Sequence, residues 1–440
     1  MKYNKLCILG LGYIGLPYAA MFAARGVKVH GVDINPHVVE TLKAGKIHIY
    51  EPGLQAMVES AVQSGNLTVS SSPEEADAFI IAVPTPFQHE KFGEYNGMRF
   101  KLADMRAVTS AAEAILPVLR KGNLVILEST SPPQTTVNLV APILARSHLE
   151  AGKDYHLCYS PERVLPGQIL RELVENARVI GGITPESARA GRDLYAAFVK
   201  GEIHETDATT AEMVKLMENT TRDVNIAIAN EFARLAEKFG VDAWEAIRLA
   251  NLHPRINILS PGPGVGGHCI SVDPWFFVEA APEHAQLIYH ARQVNDAQPG
   301  FVIEKVKQTI GELKNKKIAA LGLAYKPDVD DLRESPATEV VRLLQQAGAL
   351  VKCWEPFAPT AQLAGVEMAS DFESAVKDAD AILLLVKHTE FAKLDPNELT
   401  KKTAARVAID CVNAWDAQKW KNAGFTLHRL GDSKSPVSNL

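Results

Sequence analysis

At 440 residues the chain exceeds one ordinary hydrophobic core and calls for two or three domains. Apolar residues at 47% and charged residues at 22% exclude large-scale disorder, and a net charge of -6 excludes a nucleic-acid partner recognised by bulk charge, leaving room for a local basic patch facing a phosphorylated small molecule. Five scattered cysteines without a CxxC pair argue against structural zinc and for a reduced, cytoplasmic protein, and no apolar run approaches the ~18 residues of a membrane span.

The first part of the chain alternates short β-branched runs with helical patterns, as a parallel α/β sheet requires. Strands are predicted at 5–9, 27–32, 78–83, 124–127, 156–159 and 178–181, with a helix over 104–119. Each strand is apolar nearly throughout, the pattern of burial on both faces. From about Thr209 the pattern becomes helical: residues 210–239 hold no Gly or Pro, and a second helical stretch over 282–313 is interrupted at Pro299-Gly300, where a kink or break is expected. The alternation resumes near Lys316, with strands predicted at 317–321, 350–354, 381–386 and 407–411, and the polar tail from Gly431 reads as mobile. The expected fold class is α/β, two parallel-sheet domains of shared architecture joined by a helical central domain with a long connecting helix. The expected boundaries are 1–205, 206–314 and 315–440.

The first motif is Gly10-Leu11-Gly12-Tyr13-Ile14-Gly15, between a predicted strand and a helix. Its glycines allow a tight turn, close approach of a pyrophosphate and close helix packing, and the helix N-terminus offers free N–H groups to phosphate. Asp33 ends the next strand, where a carboxylate accepts from ribose hydroxyls and repels a 2′-phosphate, so NAD is favoured over NADP. Thr85 and Thr130 follow later strands and are placed on the nicotinamide side.

The second motif is the run Pro261-Gly262-Pro263-Gly264-Val265-Gly266-Gly267-His268-Cys269, with Asp273-Pro274 after it. The glycines suit close approach of a ligand to the thiol. Asp273-Pro274 reads as an N-cap with a first-turn proline, so Cys269 precedes a helix N-terminus that favours thiolate. A metal cluster of His268, Cys269 and Asp273 lacks further ligands at a suitable spacing, and no metal is assigned. In the long helix Lys215, Asn219 and Arg222 fall at i, i+4 and i+7, a polar stripe for an anionic, hydroxyl-rich ligand on a helix otherwise carrying Val214, Met217, Val224, Ile228 and Phe232 and expected to be wrapped on several sides. Ser160-Pro161-Glu162-Arg163 follows a strand, with Glu162 suited to acid/base work and Arg163 to phosphate, and Tyr325-Lys326-Pro327 with Asp331–Ser335 forms a cationic loop after a strand of the last domain. A dinucleotide site combined with a thiol nucleophile points to a four-electron alcohol-to-acid dehydrogenase.

These motifs, with Arg248-Leu249-Ala250-Asn251-Leu252-His253-Pro254-Arg255, make the chain similar over its full length to the UDP-glucose/GDP-mannose dehydrogenase family, and within it to the branch acting on N-acetylated sugars. The resemblance implies two Rossmann-like domains, the first for NAD and the last for a UDP-sugar, around a helical dimer-forming centre. It implies Cys269 as the nucleophile of thiohemiacetal and thioester, Lys215 and Asn219 at the sugar oxygen, and Asp273 and Glu162 handling water and protons. Arg163, Val164, Arg222 and His253 match substrate contacts, Gly266, Tyr325 and Lys326 join them, and Arg333 goes with the cofactor. Arg255 is implied to reach the partner subunit's sugar site. Pro166 and Val272 stand where the UDP-glucose enzymes carry a glutamate and a lysine, which favours a UDP-N-acetylhexosamine, UDP-N-acetyl-D-mannosamine before UDP-N-acetylglucosamine or UDP-glucose. Two rival readings stay open: a single-oxidation hydroxyacid dehydrogenase, which has no use for Cys269, and a non-catalytic sensor of NAD or nucleotide sugar.

Overall fold

The structure is a computed structural model and describes residues 3–433 apart from 166 and 268. Pro166 and His268, each invoked above, therefore lie outside the described residues, as do residues 434–440 of the tail. The chain folds as two compact units: Met1–Glu218 with Trp275–His284, and Asn219–Pro274 with Ala285–Leu440.

The first unit is built on β1 (Lys5–Leu9), β2 (Lys28–Val32), β3 (Leu67–Ser70), β4 (Ala78–Ile81), β5 (Phe87–Tyr95), β6 (Met98–Ala103), β7 (Leu124–Leu127), β8 (His156–Tyr159), β9 (Arg178–Gly182) and β10 (Ile203–Asp207). Its sheet runs β3-β2-β1-β4-β7-β8 in parallel, followed by β9 antiparallel to β8 and β10 parallel to β9. Alternation explains the unbroken apolar strands. Leu6, Ile8, Ala78, Ile80, Leu124 and Ile126 enter the core on one face, while Cys7, Leu9, Phe79, Ile81, Val125 and Leu127 enter the other. Each fully buried Leu, Ile or Phe contributes about 1.5–3 kcal/mol. The hairpin β5–β6, absent from the sequence reading, turns on Asn96 and Gly97 at φ 45° and 83°, the left-handed pair that a two-residue hairpin needs.

The second unit carries β11 (Lys317–Leu321), β12 (Leu350–Trp354), β13 (Glu367–Met368), β14 (Ala381–Leu384), β15 (Val407–Asp410) and β16 (Thr426–Arg429), all parallel in the order β13-β12-β11-β14-β15-β16. Counted within each unit, and leaving out the hairpin, the first six strands of both sheets follow the order 3-2-1-4-5-6 of dinucleotide-binding folds. Ligands of such sheets bind at the carboxyl ends where the strand order reverses, which here means the ends of β1 and β4 and of β11 and β14.

The long helix spans Ala208–Phe239, 32 residues or about 48 Å at 1.5 Å per residue. The expectation that it is wrapped on several sides is corrected: Met213, Met217, Ile228, Phe232, Leu235 and Phe239 are exposed, Met217 at 54% and Phe239 at 73%. Periodicity reveals an apolar face but not what covers it. The expected break at Pro299-Gly300 falls at Ala297, between helices Gln286–Asp296 and Gln298–Ile310, because proline is tolerated in the first turn of the second helix. The tail was expected to be mobile from Gly431, yet Gly431 N–H donates to Glu237 Oε1 at 2.8 Å and Asp432 is buried. Among the described residues no helix is long and apolar enough to cross a membrane.

Candidate functional site

In the first unit the fingerprint turn has the shape of a phosphate cradle. Gly10 sits at φ 91°, and a Cβ there would collide with the Ala82 carbonyl, as one on Gly15 would with the Gly10 carbonyl. Gly12 is different: a Cβ there meets nothing within 4 Å, leaving its backbone open to a ligand. Tyr13 and Ile14 pack against the core below. Asp33, half-buried at the end of β2, accepts from Leu11 N at 3.0 Å and Asn35 N at 2.9 Å, which fixes its carboxylate beside the turn. These residues fit a dinucleotide, with open backbone for pyrophosphate and a carboxylate for ribose. Thr85 and Thr130 come together, Thr85 Oγ1 donating to the Thr130 carbonyl at 2.7 Å.

Glu162, at 7% exposure, belongs to a buried ionisable cluster. Tyr18 OH donates to it, Arg163 N donates to its Oε1 at 2.6 Å, and Arg178 stands 3.5 Å away. Arg178 also lies 3.6 Å from Glu128, which accepts from Tyr195 OH, and its guanidinium covers the Tyr195 ring at 4.5 Å. Burial pushes the Glu128 carboxyl up to about 8; Arg178 opposes that rise and Glu162 adds to it. The folded state therefore holds an extra proton on Glu128 between its ordinary value of 4.5 and about 8, and the stability tied to that proton is lost as pH rises through about 8. Glu128→Gln, uncharged throughout, should gain thermal midpoint relative to wild type between about pH 6 and 9. Parallel melting profiles across that range would contradict this reading.

The loop after β8 is held at both ends. Arg163 pairs with Glu218 at 2.8 Å and donates to the Ala177 carbonyl, while Val164 packs on the core. Glu51, buried at 3%, accepts from Gly167 N at 2.7 Å and Ile169 N at 2.8 Å. Glu51 escaped the sequence reading, although Glu51-Pro52-Gly53 is a turn signal that marks the place.

On the long helix Lys215 is buried at 7%, Asn219 half-buried and Arg222 exposed. Buried Glu212 ties the start of that helix to the chain after β7, accepting from Gln134 N at 2.5 Å and Thr136 N at 2.7 Å. Asn219 Nδ2 donates to Asp273 Oδ2 at 2.5 Å, joining two predicted catalytic residues from distant parts of the chain. Asp273, 1% exposed, opens the helix Asp273–Ala280, one residue ahead of the expected start at Pro274. Its N–H and that of Val272 donate to the Cys269 carbonyl at 2.8 and 3.0 Å, so the thiol sits on the turn leading into this helix. Cys269 alone of the five cysteines is exposed. Burial pushes the Cys7 and Cys353 thiols up to about 12 and raises those of Cys158 and Cys411 as well.

Three glycines of the cysteine loop also have a packing role that the sequence reading did not anticipate. A Cβ on Gly266 would strike the Glu334 carbonyl, one on Gly267 the Tyr325 ring at 2.8 Å, and one on Gly264 the Pro336 ring at 2.8 Å. The loop's own packing on residues 325–336 demands glycine at these three positions. Asn230 anchors the start of the loop: its Oδ1 accepts from Gly262 N at 2.9 Å and its Nδ2 donates to Asn295 at 2.9 Å. Tyr325 and Lys326 are half-buried. Arg333 is exposed and makes two bonds with Asp331, each at 2.9 Å. His253 and Arg255 are exposed on a loop closed by Asn251, whose side chain bonds Ile258 N at 2.7 Å and Ile258 O at 2.9 Å. Among the described residues no three His, Cys, Asp or Glu side chains group to hold a metal ion.

Residues 4–199 match the NAD binding domain of the UDP-glucose/GDP-mannose dehydrogenase family, 209–297 its central domain and 319–417 its UDP binding domain. An NDP-N-acetyl-D-galactosaminuronic acid dehydrogenase from Ralstonia nicotianae is 48% identical over 429 residues, covering 95% of this chain and 98% of that protein. A UDP-N-acetyl-D-mannosamine dehydrogenase from Methanococcus aeolicus is 45% identical over 439 residues, covering 99% and 97%. The solved UDP-N-acetyl-mannosamine dehydrogenase from S. aureus superimposes with a TM-score of 0.87 at 43% identity, covering 98% of this chain and 99% of that one.

Proposed function

Because the chain belongs to the UDP-glucose/GDP-mannose dehydrogenase family, we propose that it oxidises the C6 hydroxyl of a UDP-N-acetylhexosamine, UDP-N-acetyl-D-mannosamine foremost, to the carboxylic acid. NAD, held by Gly10–Gly15 and Asp33 with Thr85, Thr130 and Arg333, supplies the hydride acceptor for each of two oxidations. Lys215, or a water held by Asn219 and Asp273, takes the hydroxyl proton. Cys269 adds to the aldehyde, forming a thiohemiacetal whose oxidation leaves a thioester, and water then releases the acid. Lys215 and Asn219 stabilise the oxyanion formed at each addition, and Asp273 with Glu162 handles water and protons.

Arg163, Val164, Arg222, His253, Gly266, Tyr325 and Lys326 bind the UDP-sugar. The exposed stripe Met213, Met217, Ile228, Phe232, Leu235 and Phe239 forms a homodimer interface, and Arg255 completes the partner's site. We retain the division at 206 and 315 into cofactor, dimer-forming and UDP-sugar parts, and a reducing, cytoplasmic setting suited to an exposed reactive thiol.

One observation carries the reading: an exposed thiol on the turn into a helix whose first residue, Asp273, orients Asn219. The sugar is the finer point, since similar relatives act on galactosaminuronic or mannosamine derivatives by name. The test compares NADH production with UDP-N-acetylmannosamine, UDP-N-acetylgalactosamine, UDP-N-acetylglucosamine and UDP-glucose. The highest kcat/KM is expected for UDP-N-acetylmannosamine, with UDP-glucose lowest. A preference for UDP-glucose would overturn the N-acetyl assignment, and absence of turnover on all four would revive the sensor.

A further inference from the structure

We propose that the buried pair His388–Glu355 is a positioning device that clamps the turn Leu323–Asp328 at both ends and so sets Tyr325 and Lys326, and through them the cysteine loop, for the nucleotide sugar. The proposal rests on the reading of Tyr325 and Lys326 as substrate contacts.

The second sheet repeats the first turn of the first sheet. Leu321-Gly322-Leu323-Ala324-Tyr325 follows β11 as Leu9-Gly10-Leu11-Gly12-Tyr13 follows β1. Gly322 and Gly10 share the left-handed backbone, at φ 87° and 91°. Gly322 N bonds the Trp354 carbonyl at 3.0 Å as Gly10 N bonds that of Val32 at 2.8 Å. Glu355, just after β12, thus holds the place that Asp33 holds after β2.

The two carboxylates have different employment. Asp33 is half-buried and takes one amide of its glycine turn. Glu355 is fully buried and accepts four bonds: Leu323 N at 2.7 Å, Ala324 N at 3.0 Å, Phe357 N at 3.0 Å and His388 Nε2 at 3.0 Å. Three of these bonds fall on Oε2 and one on Oε1, and with no exposed surface Glu355 serves the turn rather than a ligand. His388, also fully buried, accepts the Asp328 N–H on Nδ1 at 2.9 Å, which places its proton on Nε2, facing Glu355. One hydrogen-bonded pair therefore grips Leu323 and Ala324 at the start of the turn and Asp328 at its end. Asp328 needs such a grip, because it adopts φ 58°, and its carboxylate is further held by Thr389 N at 2.8 Å and Oγ1 at 2.6 Å. Phe357 stacks on the His388 ring at 5.0 Å. The Tyr325 ring abuts Gly267, so a displaced turn disturbs the loop that ends in Cys269.

The test uses Glu355→Gln, His388→Phe and His388→Gln in the full-length protein. Glu355→Gln replaces an acceptor oxygen, His388→Phe removes both ring bonds, and His388→Gln can keep a donor toward Glu355. Steady-state KM values for UDP-sugar and for NAD, calorimetric Kd for UDP, and the iodoacetamide labelling rate of Cys269 are measured. Glu355→Gln and His388→Phe should each raise the UDP-sugar KM and the UDP Kd about tenfold or more and shift the labelling rate. NAD KM should stay within about twofold of wild type, and His388→Gln should recover part of the loss against His388→Phe. UDP affinity within about twofold of wild type in both strong variants, or NAD KM rising in parallel with the UDP-sugar KM, would overturn the proposal. If neither folds, His388→Gln decides by the same KM split. A wild-type protein that binds no UDP and reduces no NAD would instead sink the functional reading, which separates the two failures.

Discussion

Replacing Cys269 with alanine should lower acid formation from the UDP-sugar by roughly a thousandfold or more, because on the proposed mechanism the variant loses the thiol that carries the half-oxidised sugar. The remaining cysteines offer no substitute: all four are buried, and burial holds their thiols protonated. NAD affinity, read by fluorescence titration, should stay within about twofold of wild type, since the proposed dinucleotide site from Gly10 to Asp33 belongs to the other compact unit. Cys269→Ser sharpens the test. A serine hydroxyl keeps the size of the side chain but is a far weaker nucleophile without a dedicated base, so it should fail nearly as badly as alanine. Turnover within about tenfold of wild type in either variant would remove Cys269 from the chemistry.

The second large effect is expected at Asp273. Its buried carboxylate accepts the Asn219 amide at 2.5 Å, and on the proposed mechanism that amide steadies a developing oxyanion, which requires its direction to be fixed. Asp273→Ala should lower kcat about 10²–10³-fold while changing the UDP-sugar KM by less than about threefold, the mark of an interaction made in the transition state. Asp273→Asn distinguishes two roles for the carboxylate. If orientation of Asn219 is the whole role, a rotated asparagine still accepts from Asn219 and retains much of the activity. If Asp273 also takes part in moving the proton or activating water, Asp273→Asn should be as impaired as Asp273→Ala. Unchanged kcat in both would show that the Asn219–Asp273 bond is structural.

The two sheets were legible in the sequence for a physical reason. Strands buried on both faces, such as Ala78–Ile81 and Leu124–Leu127, must be apolar at every position, and such runs stand out from any background. The fingerprint and cysteine loops were legible because both depend on glycine at fixed places, where a Cβ would collide at Gly10, Gly15, Gly264, Gly266 and Gly267. Less visible were the edges. β13 has two residues and β10 is half-exposed, so neither carries much apolar signal. The β5–β6 hairpin announces its Asn96-Gly97 turn, but its strands are too polar to read as a sheet.

The polar partnerships were the least legible part of the site. Asn219 meets Asp273 across 54 residues and His388 meets Glu355 across 33, and no spacing rule encodes such contacts. Glu51 and Glu212 each serve backbone amides far away in sequence. Sequence therefore proposed candidate reacting groups but did not reveal the polar contacts that hold them.

If Cys269 captures the aldehyde as proposed, the intermediate never leaves the protein. This is tested by supplying limiting UDP-N-acetylmannosamine with excess NAD and a carbonyl-trapping amine, then counting NADH and trapped aldehyde per sugar consumed. Two NADH per sugar with no trapped aldehyde is the expected result; one NADH per sugar, or aldehyde captured in step with the first NADH, would contradict it.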